Sequence, residues 1–76
     1  MSDELSIWTV YDHPTDYPDS YVARRFAISK DGPPAPTREA IVSPTLMPLR
    51  EVLVSKGLTP IARSPEDDPK IVESWI

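Results

Sequence analysis

Residues 6–28 set the terms on which the rest of the chain can fold. They hold one of the two Trp, all three Tyr, the single Phe and the single His. Two β-rich runs, residues 7–11 and 21–28, flank a segment dense in Asp and Pro, the pattern of a hairpin with a longer loop. Pro14 and Pro18 fix their own φ and extend the residue before each, so the predicted loop over 12–19 is long but stiff. Asp12, Asp16, Asp19 and Ser20 are suited to capping turns there. In the first run Leu5, Ile7, Thr9 and Tyr11 alternate with Trp8 and Val10, so both sides carry apolar groups, as a central strand does. In the second, Val22, Arg24, Phe26 and Ile28 alternate with Tyr21, Ala23, Arg25 and Ala27. One guanidinium therefore points to the more apolar side, where it needs a carboxylate or a route to the edge.

The remaining chain reads as material that covers or extends this hairpin. Residues 30–37 form a turn followed by stiff, polyproline-like surface chain, and 39–42 suit a short third strand returning antiparallel to the second. One helix is predicted over about 45–56. Ser43 or Thr45 is its N-cap, Thr45 the better because Pro48 then falls in the first turn. Leu46, Leu49 and Leu53 make one face apolar, Lys56 lies near the end, and Gly57 stops the helix. Pro60 demotes 58–63 to a loop or edge segment, and 64–69 is a second acidic, proline-rich turn. For 70–76 a strand is preferred over a terminal helix, because Ile, Val and Trp are strand formers and so short a helix is marginal. Pairing of that strand with the first brings Trp75 near Trp8. The expectation is one small α+β domain over 1–76, with a three- or four-stranded, mainly antiparallel sheet and one helix packed on one face. Trp8, Trp75, Phe26 and Ile28 are expected in the core beneath it.

Size and composition narrow the function. A chain of 76 residues buries about 60% of its unfolded surface, which disfavours a deep pocket. Without cysteine there is neither a disulfide framework nor a thiolate zinc site. The longest apolar runs fall far short of the roughly 20 residues that span a bilayer, and residues 1–5 lack the features of a signal peptide, so a cytoplasmic location is expected. The net charge of −4 divides unevenly, with −5 over residues 1–19, +4 over 20–63 and −3 over 64–76. Mutual neutralisation of termini and middle in space explains such a pattern, and a basic face for an anionic partner is its alternative.

Several short patterns carry chemical suggestion. Trp8-Thr9-Val10-Tyr11-Asp12-His13-Pro14, Tyr17-Pro18, Tyr21-Val22-Ala23-Arg24-Arg25-Phe26, Asp67-Asp68-Pro69 and Ile71-Val72-Glu73-Ser74-Trp75-Ile76 together resemble a group of short proteobacterial proteins. No activity is assigned to that group, so the resemblance transfers no functional residue and only favours the terminal strand. Asp12 beside His13 suggests a shallow acid-base site, but no nucleophile completes it. His13 with Asp12, Asp16 and Asp19 matches no metal-binding spacing. Arg24 and Arg25 among aromatic residues suggest a weak nucleic-acid or anion binder, without the signature of an RNA-binding sheet and with the wrong net charge. The favoured reading is a non-enzymatic interaction or accessory module, with no cofactor, metal or catalytic residue, binding an unidentified protein or pairing as a homodimer through an edge strand. Its candidate contact residues are Tyr11, His13, Tyr21, Arg24 and Arg25.

Overall fold

A computed structural model describes residues 5–62 and 68–76. The expected fraying of 1–4, the end of the 58–63 segment and most of the 64–69 turn lie outside the described residues. The chain forms β1 (Leu5–Asp12), β2 (Tyr21–Ile28), β3 (Ala35–Ser43), α1 (Leu46–Ser55), β4 (Pro60–Ala62) and β5 (Ile71–Trp75). The five strands make one sheet in the order β3-β2-β1-β5-β4, and every neighbouring pair is antiparallel. The α+β class is as expected. The sheet is wider than the expected three or four strands because residues 60–62, within the segment expected as loop or edge, pair as β4, and the expected third strand is longer, starting at Ala35.

Both extra pairings exploit the outer positions of the sheet. β3 starts at Ala35 and includes Pro36, within a stretch expected to be unpaired, and β4 opens on Pro60. On an edge strand one side of the backbone faces no partner, so a missing N–H there forfeits no ladder bond. β3 also absorbs extra residues between Ala40, opposite Arg24, and Pro36, opposite Phe26. Thr37 secures that bulge by donating from Oγ1 to the Arg25 carbonyl at 3.0 Å.

The hairpin forms with β1 in the middle of the sheet, flanked by β2 and β5. Trp8 stands opposite Trp75, as the sequence led one to expect. A bulge follows, since Val10 faces Glu73 while Tyr11 faces Ile71. The chain leaves the sheet at one edge, β3, and returns at the other, β4. Four strand spacings separate these edges, about 19 Å. The ten residues of α1 cover about 15 Å of that span, so the helix lies across one face.

Local chemistry bounds the helix on both sides. Thr45 is the N-cap in extended conformation but makes no side-chain capping bond. Ser43 takes that work, its hydroxyl accepting from Thr45 N–H at 3.3 Å and donating to the Thr45 carbonyl at 2.7 Å. Pro48 is the third helical residue, where its absent N–H would have had no intrahelical acceptor. At the other end Gly57 adopts φ +80°. Gly57 N–H then reaches the Val54 carbonyl at 2.9 Å and Leu58 N–H the Leu53 carbonyl at 3.3 Å, which supplies donors to carbonyls of the last turn. Lys56 is the C-cap, and its ammonium sits 5.3 Å from the Trp8 ring centroid.

The core lies between α1 and the sheet: Trp8, Val10, Ala23, Leu49, Leu53 and Trp75, joined by Tyr21, Ile41, Leu46, Leu58 and Val72. Phe26 and Ile28 are not part of it, contrary to expectation. Their cross-strand partners are Ile7 and Leu5, whereas Trp8 faces Arg25, so alternation turns Phe26 and Ile28 to the side away from the helix.

Candidate interaction surface

The covered side of the sheet contains a buried carboxylate. Glu73 is 9% exposed and lies beneath the helix side of β5. Arg50 of α1 donates to it from Nη2 at 2.8 Å and from Nε at 3.1 Å, and the Trp75 indole N–H donates to the same carboxylate at 2.7 Å. Burial pushes the Glu73 carboxyl up, but the bonds from Arg50 and Trp75 outweigh it and hold the carboxyl below its ordinary value. Arg24 and Arg25 meet other carboxylates, Asp16 and Glu39, and Glu73 serves Arg50 and Trp75. The network ties helix to sheet and is fully occupied, which makes it a structural clamp.

The five residues singled out in the sequence divide among three places. Tyr11 and Arg24 project from the face away from the helix, with the Arg24 guanidinium 5.9 Å from the Tyr11 ring centroid. Arg24 forms an ion pair with Asp16 of the β1–β2 loop, and this bond is the main cause that holds the Asp16 carboxyl below its usual value. Burial raises the Tyr11 phenol, a shift opposed by Arg24 and reinforced by Asp68. Arg25 and Tyr21 lie on the helix side instead. Arg25 donates from Nε to Ser6 Oγ at 2.9 Å and stands 3.7 Å from Glu39, and Tyr21 packs on the core. The two guanidinium groups thus leave the sheet on opposite faces, so one phosphate cannot engage both.

His13 occupies the end of the hairpin, in the left-handed region at φ 49°. Its N–H donates to the Ser20 carbonyl at 3.0 Å, and its carbonyl accepts from the Lys70 ammonium at 2.9 Å. The ring bonds Asp12 through Nδ1 and meets Tyr21 edge-on, with centroids 5.2 Å apart. Asp12 and His13 do touch, therefore. An open hollow of about 460 Å³ lies at the opposite end of the hairpin, where Leu5, Ile28, Ser29 and Lys30 line it. Among the described residues no three His, Asp or Glu side chains converge to hold a metal ion, and no helix is long and apolar enough to cross a membrane.

What the residue-by-residue reading missed is a continuous surface. Along the side of the sheet away from α1, Phe26 stands opposite Ile7 and Ile28 opposite Leu5, while Pro36 adjoins Phe26 from β3. Ile61 pairs with Ser74, which itself faces Thr9. Ile76 follows one position after the core residue Trp75 and exchanges backbone hydrogen bonds with Thr59, so it joins the same side. Eight large apolar or aromatic side chains are exposed among the described residues, and four of them, Leu5, Val42, Ile61 and Ile76, belong to this face. A sequence signal for it existed: β1 is apolar on both sides, yet the chain offers only one predicted helix to cover them. The loop carrying Asp16 reaches the Tyr11 and Arg24 end, and among the described residues no element crosses the Leu5, Ile7, Phe26 and Ile28 end. In comparisons with family models, curated proteins and solved structures, the chain shows no match.

Proposed function

We propose that this chain is a non-enzymatic accessory module of the cytoplasm that binds another protein through the open face of its sheet. The observation that carries this reading is the apolar block of Leu5, Ile7, Phe26, Ile28 and Ile76, with Ile61 at its margin. Isolated exposed apolar groups are ordinary on a protein surface, whereas a contiguous patch on a regular element marks a contact site. Tyr11 and Arg24 flank that surface on its polar margin. The edges are poorer candidates. β3 is bulged and bears Pro36, Arg38 and Glu39, while β4 is three residues long and opens on Pro60, all features that discourage added strands.

Photocross-linking in the host cell tests the reading directly. A photoreactive phenylalanine analogue replaces Phe26 in one variant and Val54, on the solvent side of α1, in another. Protein adducts at position 26 and none at 54 are expected. Equal labelling at both positions, or none at 26, would refute an open-face contact.

A further inference from the structure

We infer that the Asp31–Gly32 peptide, in the connection between β2 and β3, is a site of spontaneous modification, where the folded chain isomerises to an isoaspartyl linkage that a carboxyl methyltransferase recognises. The inference is independent of the contact proposed for the open face. The backbone nitrogen of the residue after an aspartate attacks the side-chain carboxyl carbon. The new N–C bond closes a succinimide ring, and one water leaves, made from a carboxyl oxygen, its proton and the amide hydrogen. Water then reopens the ring. Cleavage at the side-chain carbonyl restores aspartate, whereas cleavage at the main-chain carbonyl leaves the backbone running through the former side chain, with a free α-carboxylate. Nothing is oxidised or reduced, and the net charge of −4 is unchanged. A sulfonium methyl donor then esterifies that carboxylate, its S–C bond breaking as the O–C bond forms.

The state of the attacking nitrogen selects the site. After Asp12, Asp16 and Asp19 the next amide is committed: His13 N–H donates to the Ser20 carbonyl at 3.0 Å, Tyr17 N–H to the Pro14 carbonyl at 2.9 Å, and Ser20 N–H to the Tyr17 carbonyl at 3.2 Å. An amide held in this way cannot swing toward the carboxyl carbon without giving up its bond. Pro69, after Asp68, has no N–H to lose. Gly32 differs. Its N–H lies 3.5 Å from the Ser29 carbonyl, beyond the usual range of about 2.7–3.2 Å. Asp31 and Gly32 are both exposed, and among the described residues no group bonds the Asp31 carboxylate, whereas Asp12 and Asp16 pair with His13 and Arg24. Without a Cβ, Gly32 also offers the least hindered nitrogen. The fold tolerates the product as well. Residues 29–34 lie between the strands, and the ladder closes with Ala27 opposite Ala35, so a main chain longer by one methylene there loses no ladder bond.

Ageing the folded full chain at neutral pH and physiological temperature provides the test. An isoaspartyl-specific carboxyl methyltransferase with radiolabelled S-adenosylmethionine reads the product, and fragmentation of tryptic peptides locates it by residue. Label should accumulate at Asp31, preceded by a species lighter by one water. Gly32→Ala should keep the circular dichroism of the wild type and slow labelling several-fold, because the added methyl shields the nitrogen and meets only Ser29 Oγ, at 3.2 Å, a hydroxyl able to turn away. Asp31→Ser removes the carboxyl and should abolish the label at that position. Ageing in guanidinium chloride, with the denaturant removed before labelling, frees the Ser20 amide and should raise the share of label at Asp19. No label in the folded wild type, label mainly at another aspartate, equal rates in the wild type and Gly32→Ala, or an Asp19 share that is the same in folded and unfolded chains would each overturn the proposal.

Discussion

Replacing Glu73 should expose how the helix is held to the sheet. In Glu73→Ala the Trp75 indole N–H, on a side chain 4% exposed, loses its acceptor. A buried donor left unsatisfied costs about 1–3 kcal/mol. Arg50 loses a bidentate partner, but its side chain is 39% exposed and regains water, so this contribution is discounted to below about 1 kcal/mol. One methylene group leaves a packed site along with the carboxylate, which adds about 0.8 kcal/mol. The expected loss is about 2–4 kcal/mol, a large share of the stability of a small domain. Glu73→Gln keeps an oxygen for Trp75 and most of the volume, and should cost about 1 kcal/mol. Urea denaturation followed by tryptophan fluorescence at neutral pH measures both. Because the folded-state carboxyl titrates below its unfolded value near 4.5, Glu73 contributes stability that is present above that pH and lost as pH falls through the lower, folded-state value. The Gln variant should therefore have a shallower acid limb than the wild type. A Glu73→Ala loss below about 0.5 kcal/mol, a Gln variant as damaged as the Ala variant, or parallel acid limbs would refute the clamp.

Trp75→Ala should cost about 3–5 kcal/mol as a core truncation, measured by circular dichroism at increasing urea because one of the two tryptophans is gone. Gly57→Ala should lose about 1 kcal/mol through backbone strain alone, since the position has φ +80° and an added methyl meets nothing within 4 Å; an unchanged melting temperature would show that the helix stop is dispensable. Ile61→Ser, on the exposed β4 edge, should change stability by less than about 0.5 kcal/mol, and a larger loss would mean that the open face supports the fold and is not reserved for contact.

The readable parts of this fold were those governed by local periodicity. Strict alternation in β1 and β2 assigns their two sides before any partner is known, and Gly57 and Thr45 mark the helix through backbone chemistry that depends on their immediate neighbours. Trp8 and Trp75 could be matched because each lies on a strongly apolar strand. Pairing at the sheet edges was only partly legible, since Pro36 and Pro60 carry the same local signal in a loop and on the unpaired side of a strand: 58–63 stayed open between loop and edge segment, and the start of β3 at Ala35 was missed. Deciding which side α1 covers was equally beyond local pattern, because both sides of β1 are apolar, and Phe26 and Ile28 were misassigned for that reason. The partner of Arg50 is 23 positions away, across a helix and a sheet, and no spacing rule connects them. Among the proposed contact residues, Tyr11 and Arg24 meet on one side, while Arg25, adjacent in sequence to Arg24, necessarily leaves on the other.

The position of β5 governs the order in which the molecule can assemble during synthesis. It is the last element in chain order among the described residues, yet it lies between β1 and β4, and β4 pairs with nothing else in the sheet. The three strands β1, β2 and β3 are able to zip together as they emerge, each beside its predecessor. β4, by contrast, has no ladder to join until residues 71–75 have been made, and the Glu73 anchor of the helix is missing for the same interval. Half of the tryptophan core and the far edge of the sheet must therefore close in one late, long-range step, of the kind that slows folding because the chain loses its freedom before the contacts return it. Until that step is complete, β1 presents an unpaired side to the cell, which makes the interval before closure the time of greatest exposure to aberrant strand pairing.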